Sequence, residues 1–129
     1  MIAADNQKNT MHSRATQLLD AAELEQLKSF LESNKLPFKD IKLNGNIFML
    51  YRNNTGDIVG SAGLEIYSEF GLIRSVAVRE SERGHGHGKQ IVHDILLWAK
   101  QRELASVYLL TENARDFFKK NGFQDFSPD

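Results

Sequence analysis

The hydrophobic positions change their period along the chain, and each period predicts a type of element. Between residues 21 and 37 the apolar side chains recur with the spacing of one face of an amphipathic helix: Leu24, Leu27, Phe30 and Leu31. Asp20 stands where an N-cap is expected, and Pro37 ends the pattern. Three strand-like runs follow, rich in branched and aromatic residues: 46–52, 58–67 and 72–78. The turns "NNTGD" and "EFG" between them predict an antiparallel meander.

The helical period returns after a glycine-rich stretch. A helix of about 16 residues, roughly 24 Å long at the usual rise, is predicted there. Its apolar face is formed by Ile91, Val92, Ile95, Leu96 and Ala99. Residues 106–110 read as a short buried strand, and a short closing helix precedes Gly122, which suits the left-handed position after a helix end. The strand–helix–strand order predicts that 72–78 and 106–110 are parallel. We therefore expect one α/β layered domain over 1–129, with about 1–12 as a flexible tail.

Composition narrows the class of protein. A chain of 129 residues that is 41% hydrophobic fits one soluble domain with its own core. Its net charge of −1 lacks the basic excess of nucleic-acid binders, and no apolar run is long enough to span a membrane. The first ten residues do not resemble a secretory signal. The absence of cysteine excludes disulfides, zinc–cysteine sites and thiol nucleophiles, and fits a cytoplasmic location.

The stretch "RGHGHGKQ", residues 83–90, lies between a predicted strand and a predicted helix. The first amides of a helix lack internal partners and carry partial positive charge, and glycines allow a phosphate to approach them. His85 and His87 raise the alternative of a metal site, but no carboxylate or cysteine stands beside them in the stretch, so we expect no metal. Neither the dinucleotide fingerprint nor the P-loop pattern matches. The pattern R/Q-x-x-G-x-G/A fits Arg83, Gly86 and Gly88.

This pattern resembles motif A of the GNAT superfamily, the acyl-CoA-dependent N-acyltransferases. Val76-x-Val78 resembles the strand that holds pantetheine in that family, and "ARDFFKKNGF", from Ala114 to Phe123, resembles its closing helix, AxxFYxKxGF. The resemblance covers roughly 13–126. Within the superfamily the chain is most similar to the small GNATs of arsenic-resistance operons and to the amino-acid N-acetyltransferase type of domain. The family fold is a mixed, mostly antiparallel sheet flanked by helices.

The resemblance implies an acetyl-CoA site built largely from backbone. Backbone groups of Val76, Ala77 and Val78 would pair with pantetheine as an added strand, and the Val76 N–H would face the thioester oxygen. Thr111 replaces the family's pantetheine-binding asparagine, and Phe118 replaces a tyrosine that serves as general acid. The pyrophosphate would lie against the amides of the glycine stretch: Arg83, Gly84, His85, Gly86, His87, Gly88 and Lys89.

The acceptor side of the site is predicted from charged residues in apolar strands. Glu65 is the candidate general base, with an outward-facing carboxylate on a half-exposed strand as the alternative. Arg74 alternates with Val76 and Val78, so it is expected to share their face unless a bulge intervenes. It would bind an acceptor carboxylate or pair with Glu65. Glu112 is a second acceptor-side candidate, or favours the next helix's N-terminus.

These residues predict an N-acetyltransferase that moves an acetyl group from acetyl-CoA to the primary amine of a small, amino-acid-like acceptor. The amine would attack the thioester directly in a ternary complex. The alternative is a degenerate GNAT that binds acyl-CoA as a sensor or assembly module, which Phe118 and Thr111 favour. The family usually continues with two more strands after "GF", whereas "QDFSPD" follows here. Either the wall of the acceptor site is reduced or a second subunit supplies it, and we therefore predict a homodimer.

Overall fold

The computed structural model describes residues 14–17, 20–109 and 115–124. Within them, five strands form one sheet in chain order. The strands are β1 (Arg14–Gln17), β2 (Ile47–Arg52), β3 (Ile58–Tyr67), β4 (Phe70–Val78) and β5 (Ser106–Leu109), and the helices are α1 (Ala21–Ser33), α2 (His87–Gln101) and α3 (Arg115–Lys120). Neighbouring strands are antiparallel except for β4 and β5, which are parallel. The expected mixed, mostly antiparallel sheet flanked by helices is confirmed.

Most element boundaries match the sequence prediction, with two differences. The N-cap is confirmed, since Asp20 Oδ1 accepts a hydrogen bond from the Glu23 amide at 2.8 Å. The predicted "EFG" turn is wrong, because Phe70 already pairs with Tyr67 across a two-residue turn. Ser68 begins that turn with a left-handed φ of 54°. Strand β1 was not predicted; its four residues pair with β2. The predicted tail lies outside the described residues.

Each face of the sheet is covered by one of the longer helices. On one face α1 buries Leu27, Phe30 and Leu31 against Phe48 and Leu50. On the other face α2 packs against strand residues that include Leu64 and Ile73. The buried face of α2 contains Trp98, whereas Leu96 is only half-buried. Trp98 thus takes the place that the sequence prediction gave to Leu96. Burying one large apolar side chain contributes about 1.5–3 kcal/mol, so these two layers hold the sheet in place.

A β-bulge in β4 decides which side chains reach which face. Gly63 pairs with Arg74 and Ser61 pairs with Ala77, so β4 has one extra residue between these pairs. The strand is strained there, since Ser75 adopts a left-handed φ of 60°. Arg74 and Ala77 therefore face α1, whereas the valines at 76 and 78 pack with the α2 layer. Arg74 was expected to share a face with these valines unless a bulge intervened; the bulge does intervene, and Arg74 lies on the opposite face. In the described part of the chain, no helix is both long and apolar enough to cross a membrane.

Candidate functional site

Among the described residues, the pairing of the two parallel strands β4 and β5 stops before β4 ends. Pairing of β4 with β5 runs from Phe70↔Ser106 to Ile73↔Leu109. Strand β4 then continues to Val78, paired with β3 on its other side only. Along 74–78, no other strand of the described residues pairs with the β5 side of β4. An open strand edge of this kind offers backbone groups to an extended ligand.

The open edge leads into the glycine turn at the start of α2. A 3-10 turn, Glu80–Glu82, follows β4, and Gly86 is the N-cap of α2 without offering a side-chain cap. Gly84 and Gly86 both have left-handed φ angles, 84° and 87°, and a Cβ on either would meet no atom within 4 Å. The space beside these two glycines is open, and the first amides of a helix lack internal partners, a combination that favours an anion.

The other residues of the glycine turn have separate tasks. The Arg83 guanidinium points back along the chain, where Nε donates to the Val78 carbonyl at 2.9 Å and ties the turn to the end of β4. Gly88 packs closely against α3, since a Cβ there would lie 3.0 Å from the Phe117 ring. The absence of a side chain at Gly88 therefore allows close packing of α2 against α3, in addition to any approach of a ligand. Lys89 is exposed to solvent.

A carboxylate stands beside the two histidines of the turn, so the stated reason for excluding a metal there is wrong. Glu82 Oε1 lies 3.4 Å from His87 Nε2, and the His85 and His87 rings are 6.4 Å apart between centroids. Burial alone would raise the pKa of Glu82, but hydrogen bonds from Arg79 and His87 outweigh it and the pKa is lowered. Sequence reasoning missed Glu82 because it precedes the glycine stretch and is brought back by the 3-10 turn.

Arg74 lies between two carboxylates on the α1 face. Its two terminal nitrogens donate to both oxygens of Asp40 at 2.9 and 2.8 Å, and Nη1 also donates to Glu65 at 3.0 Å. The hydrogen bond from Arg74 holds the pKa of Asp40 below its usual value. Tyr67 donates its hydroxyl to Glu65 at 2.9 Å, and this hydrogen bond raises the pKa of Tyr67. The structure thus brings Glu65 and Arg74 together, as one of the two sequence interpretations proposed. It adds Asp40, which the sequence did not single out.

Two serines fix the bulge, and sequence reasoning missed both. The fully buried Ser61 donates its hydroxyl to the Ser75 carbonyl at 2.7 Å. Arg74 Nε in turn donates to the Ser75 hydroxyl at 3.1 Å. The signal available in the sequence was the single serine, Ser61, inside the apolar run "IVGSAGLEIY". These bonds hold the backbone next to Val76 in its strained conformation.

The remaining predicted residues are placed as follows. Ala77 is buried, whereas Val76 and Val78 are half-buried beside the open edge. Phe118 is 4% exposed and makes edge-to-face contacts with Phe117 and Phe123, each at 5.3 Å between ring centroids. Its surroundings give this ring a packing role, and its contact with a cofactor stays a prediction. Thr111 and Glu112 lie outside the described residues.

Comparison with known proteins identifies the family to which this fold and glycine turn belong. The family profile of the acetyltransferase (GNAT) domain matches residues 44–125. The chain therefore belongs to the GNAT acetyltransferase family. Individual members of the family show how similar this chain is to known proteins.

Among curated proteins, the chain is similar to an amino-acid acetyltransferase of Mycobacterium tuberculosis, with 38% identity over 71 residues. The match covers 54% of this chain and 40% of that relative, so the chain spans less than half of the relative's length. A solved structure of an M. tuberculosis protein in complex with CoA and a further ligand has 26% identity and a TM-score of 0.68, covering 82% of this chain and 69% of that one. A Trypanosoma brucei acetyltransferase shares the fold at 23% identity and a TM-score of 0.70, covering 91% and 96% of the respective chains.

Proposed function

We propose that the protein transfers an acetyl group from acetyl-CoA to the primary amine of a small, amino-acid-like acceptor, by direct attack in a ternary complex. The observation that carries this proposal is the continuity of the open β4 edge with the glycine turn. An extended ligand with a diphosphate at one end fits such a path. Pantetheine would lie along 76–78, and the pyrophosphate would accept hydrogen bonds from the amides of 83–89.

In the proposed complex, the bulge would position the thioester carbonyl on this path. In the proposed complex the Val76 N–H donates to the thioester oxygen and stabilises the negative charge that develops during attack. Ser75 turns the backbone away from regular pairing, and Ser61 holds that turn at 2.7 Å. Removal of one such donor from an acyl-transfer enzyme lowers kcat by about 10²–10³, which is the size of the effect assigned to this amide.

An amino-acid-like acceptor is supported by the relative's name and by the chemistry of the amine. A lysine-like amine with a pKa near 10.4 needs about 4.6 kcal/mol to become neutral at pH 7, whereas an α-amine near 8 needs about 1.4. Glu65 is the proposed base, held in position by Arg74 and Tyr67. The acceptor carboxylate would replace Asp40 on Arg74. Asp40 is 70% exposed, and exposed ion pairs contribute only about 0–1 kcal/mol, so replacing Asp40 by the acceptor carboxylate has a small free-energy cost.

The leaving thiolate has no assigned proton donor, because Phe118 carries no ionisable group. A thiol with a pKa near 8.5 leaves as thiolate at pH 7 with a penalty of only about 2 kcal/mol, so transfer does not require one. The same buried Phe118 favours a second candidate function, in which the chain binds acyl-CoA as a sensor or assembly module without turnover. The homodimer stays a prediction.

The experiment that tests the site uses acetyl-CoA binding, followed by calorimetry, together with release of free thiol over a panel of amino acids and their decarboxylated amines. Gly86→Val should abolish acetyl-CoA binding. Gly45→Val is the matched control, since Gly45 also has a left-handed φ, 78°, and open surroundings, but precedes β2 at the other end of the sheet. Equal loss of binding in both variants would show that backbone strain, rather than the site, is responsible. Binding without thiol release on any amine supports the sensor, and absence of binding by the unmodified protein contradicts both functions.

Glu65→Gln tests the base separately. At pH 7 we expect kcat to fall by about 10²-fold or more, because a general base typically contributes 10²–10⁴. The deficit should shrink as the pH rises above the pKa of the amine, since the acceptor is then already neutral. A deficit that is the same at pH 7 and pH 9.5 would show that Glu65 positions the acceptor instead.

A further inference from the structure

We propose that Glu82, His85 and His87 form a binding site for a divalent transition-metal ion of the zinc class at the glycine turn. One ligand atom from each of the three lies within 4.8 Å of the other two. We call these residues the His–Glu cluster. The proposal does not depend on acetyl transfer, because it concerns side chains, whereas the proposed CoA site uses the backbone of the same turn.

The distance between the two inner members already suits a metal. Zinc binds imidazole nitrogen at about 2.0–2.1 Å and carboxylate oxygen at about 2.0–2.2 Å, so two ligands of a tetrahedral ion are about 3.4 Å apart. The observed separation of His87 Nε2 and Glu82 Oε1 is 3.4 Å. His85 is exposed, and a shift of its ring on the order of 1–2 Å would bring its nitrogen from within 4.8 Å to the same distance. Three protein ligands would leave the fourth position to water.

The oxygen of Glu82 that would bind the ion differs from the one that Arg79 holds. Its Oε2 accepts from Arg79 at 3.3 Å, whereas Oε1 faces His87. The arginine therefore fixes the carboxylate without occupying the oxygen that would bind metal. A carboxylate held by a further hydrogen bond is the usual arrangement around a metal ligand.

The burial of His87 is the second observation that points to a ligand. The residue is 9% exposed, and Nδ1 is buried without a hydrogen-bond partner among the described residues. A buried polar atom without a partner is unfavourable by about 1–3 kcal/mol, and an apolar side chain would fill this space without that penalty. Packing alone therefore does not account for an imidazole here. The contact of Nε2 with Glu82 does account for it, and the same two atoms would bind the ion.

The ligand set also indicates which ions would bind. Two imidazoles and one carboxylate suit Zn²⁺, Ni²⁺ or Cu²⁺, whereas Mg²⁺ and Ca²⁺ prefer sites made of oxygen alone. We therefore expect Zn²⁺ to bind with one-to-one stoichiometry and Mg²⁺ to have no effect. Co²⁺ in the same site should give the intense visible absorption of tetrahedral coordination.

The test is calorimetric titration of Zn²⁺ into the chelator-treated protein, prepared without a histidine tag. Glu82→Gln and His85→Ala should each weaken binding by at least about 10-fold. His87→Leu should abolish binding while leaving the metal-free protein at least as resistant to urea, which separates loss of the site from loss of the fold. His93→Ala is the control, because His93 lies on α2 outside the cluster and its removal should change nothing.

Two results would overturn the proposal. One is zinc binding that is unchanged by Glu82→Gln, which would mean that the histidines collect the ion without the cluster. The other is the absence of saturable binding at micromolar Zn²⁺ by the unmodified protein. Loss of zinc binding in His87→Leu, with the resistance to urea retained, supports the metal site.

Discussion

Replacing Arg74 by methionine removes the centre of the polar cluster on the α1 face while keeping much of the side chain's length. The Arg74 side chain is 15% exposed and Glu65 is 12% exposed, whereas Asp40 is 70% exposed. Without the guanidinium, the Glu65 carboxylate stays largely enclosed, and among the described residues the Tyr67 hydroxyl is the donor that remains to it. The Arg74–Glu65 pair should therefore contribute most of the stability that this cluster provides.

The expected magnitude follows from these exposures. Removing one partner of a fully buried ion pair costs about 3–5 kcal/mol, and partial exposure of this cluster reduces that through solvent screening to about 2 kcal/mol. An unfolding entropy near 2.1 cal/mol/K per residue makes this about 7 °C in Tm for 129 residues. Asp40→Asn, which removes only the exposed partner, should cost less than about 1 kcal/mol.

The assay is urea unfolding of both variants and of Arg74→Met combined with Glu65→Gln. The double variant should recover part of the loss, because no enclosed charge is then left without a partner and only the exposed Asp40 stays unpaired. If Arg74→Met is no more destabilising than Asp40→Asn, the Arg74–Glu65 pair contributes little and the reasoning is refuted.

The pH dependence of stability provides an independent check. The pKa of Asp40 is lowered in the folded state by Arg74, so its contribution is present above the usual value of 3.8 and is lost as the pH falls below it. The stability difference between the unmodified protein and Asp40→Asn should therefore shrink below about pH 4.

Three further substitutions test the packing around the site. Gly88→Ala places a Cβ 3.0 Å from the Phe117 ring and should destabilise by about 1–3 kcal/mol in urea, with partial rescue by Phe117→Leu; equal loss in both backgrounds would contradict the contact. Tyr51→Phe removes the 2.7 Å hydrogen bond from a buried hydroxyl to Asp94 and should cost about 1–2 kcal/mol without altering acetyl-CoA affinity, and no loss would mean that water replaces the bond. Asp20→Ala should lower stability by about 1 kcal/mol through loss of the α1 N-cap, with Asp20→Asn close to the unmodified protein.

The elements that could be predicted from sequence are those whose signal is local. Asp20 caps α1 through a bond three residues away, and the strand Ile58–Tyr67 was predicted with its observed bounds. Gly122 has the left-handed φ expected after the closing helix. Strand β1 was missed because four residues carry too short a period to distinguish from irregular chain, and only pairing with β2 defines it.

The site was harder to predict because its polar contacts join distant parts of the chain. Arg74 meets Asp40 across 34 residues, a contact that no spacing rule specifies. Glu82 reaches His87 only because a 3-10 turn and two left-handed glycines fold the chain back. The glycine turn itself, by contrast, was predictable, since glycines between a strand and an amphipathic helix indicate such a turn locally.

One extra residue in β4 explains how a single strand serves two ligands in the proposed reaction. In an unbroken strand Arg74 would share the α2 face with Val76 and Val78, and the acceptor's charge would lie on the cofactor's side of the sheet. The bulge at Ser75 turns Arg74 to the α1 face beside Glu65, while the backbone from Val76 onward keeps its open edge toward the glycine turn. The amine and the thioester can then approach the same stretch of backbone from opposite sides. The buried hydroxyl of Ser61 belongs to this arrangement because it stabilises the conformation that separates the two sides.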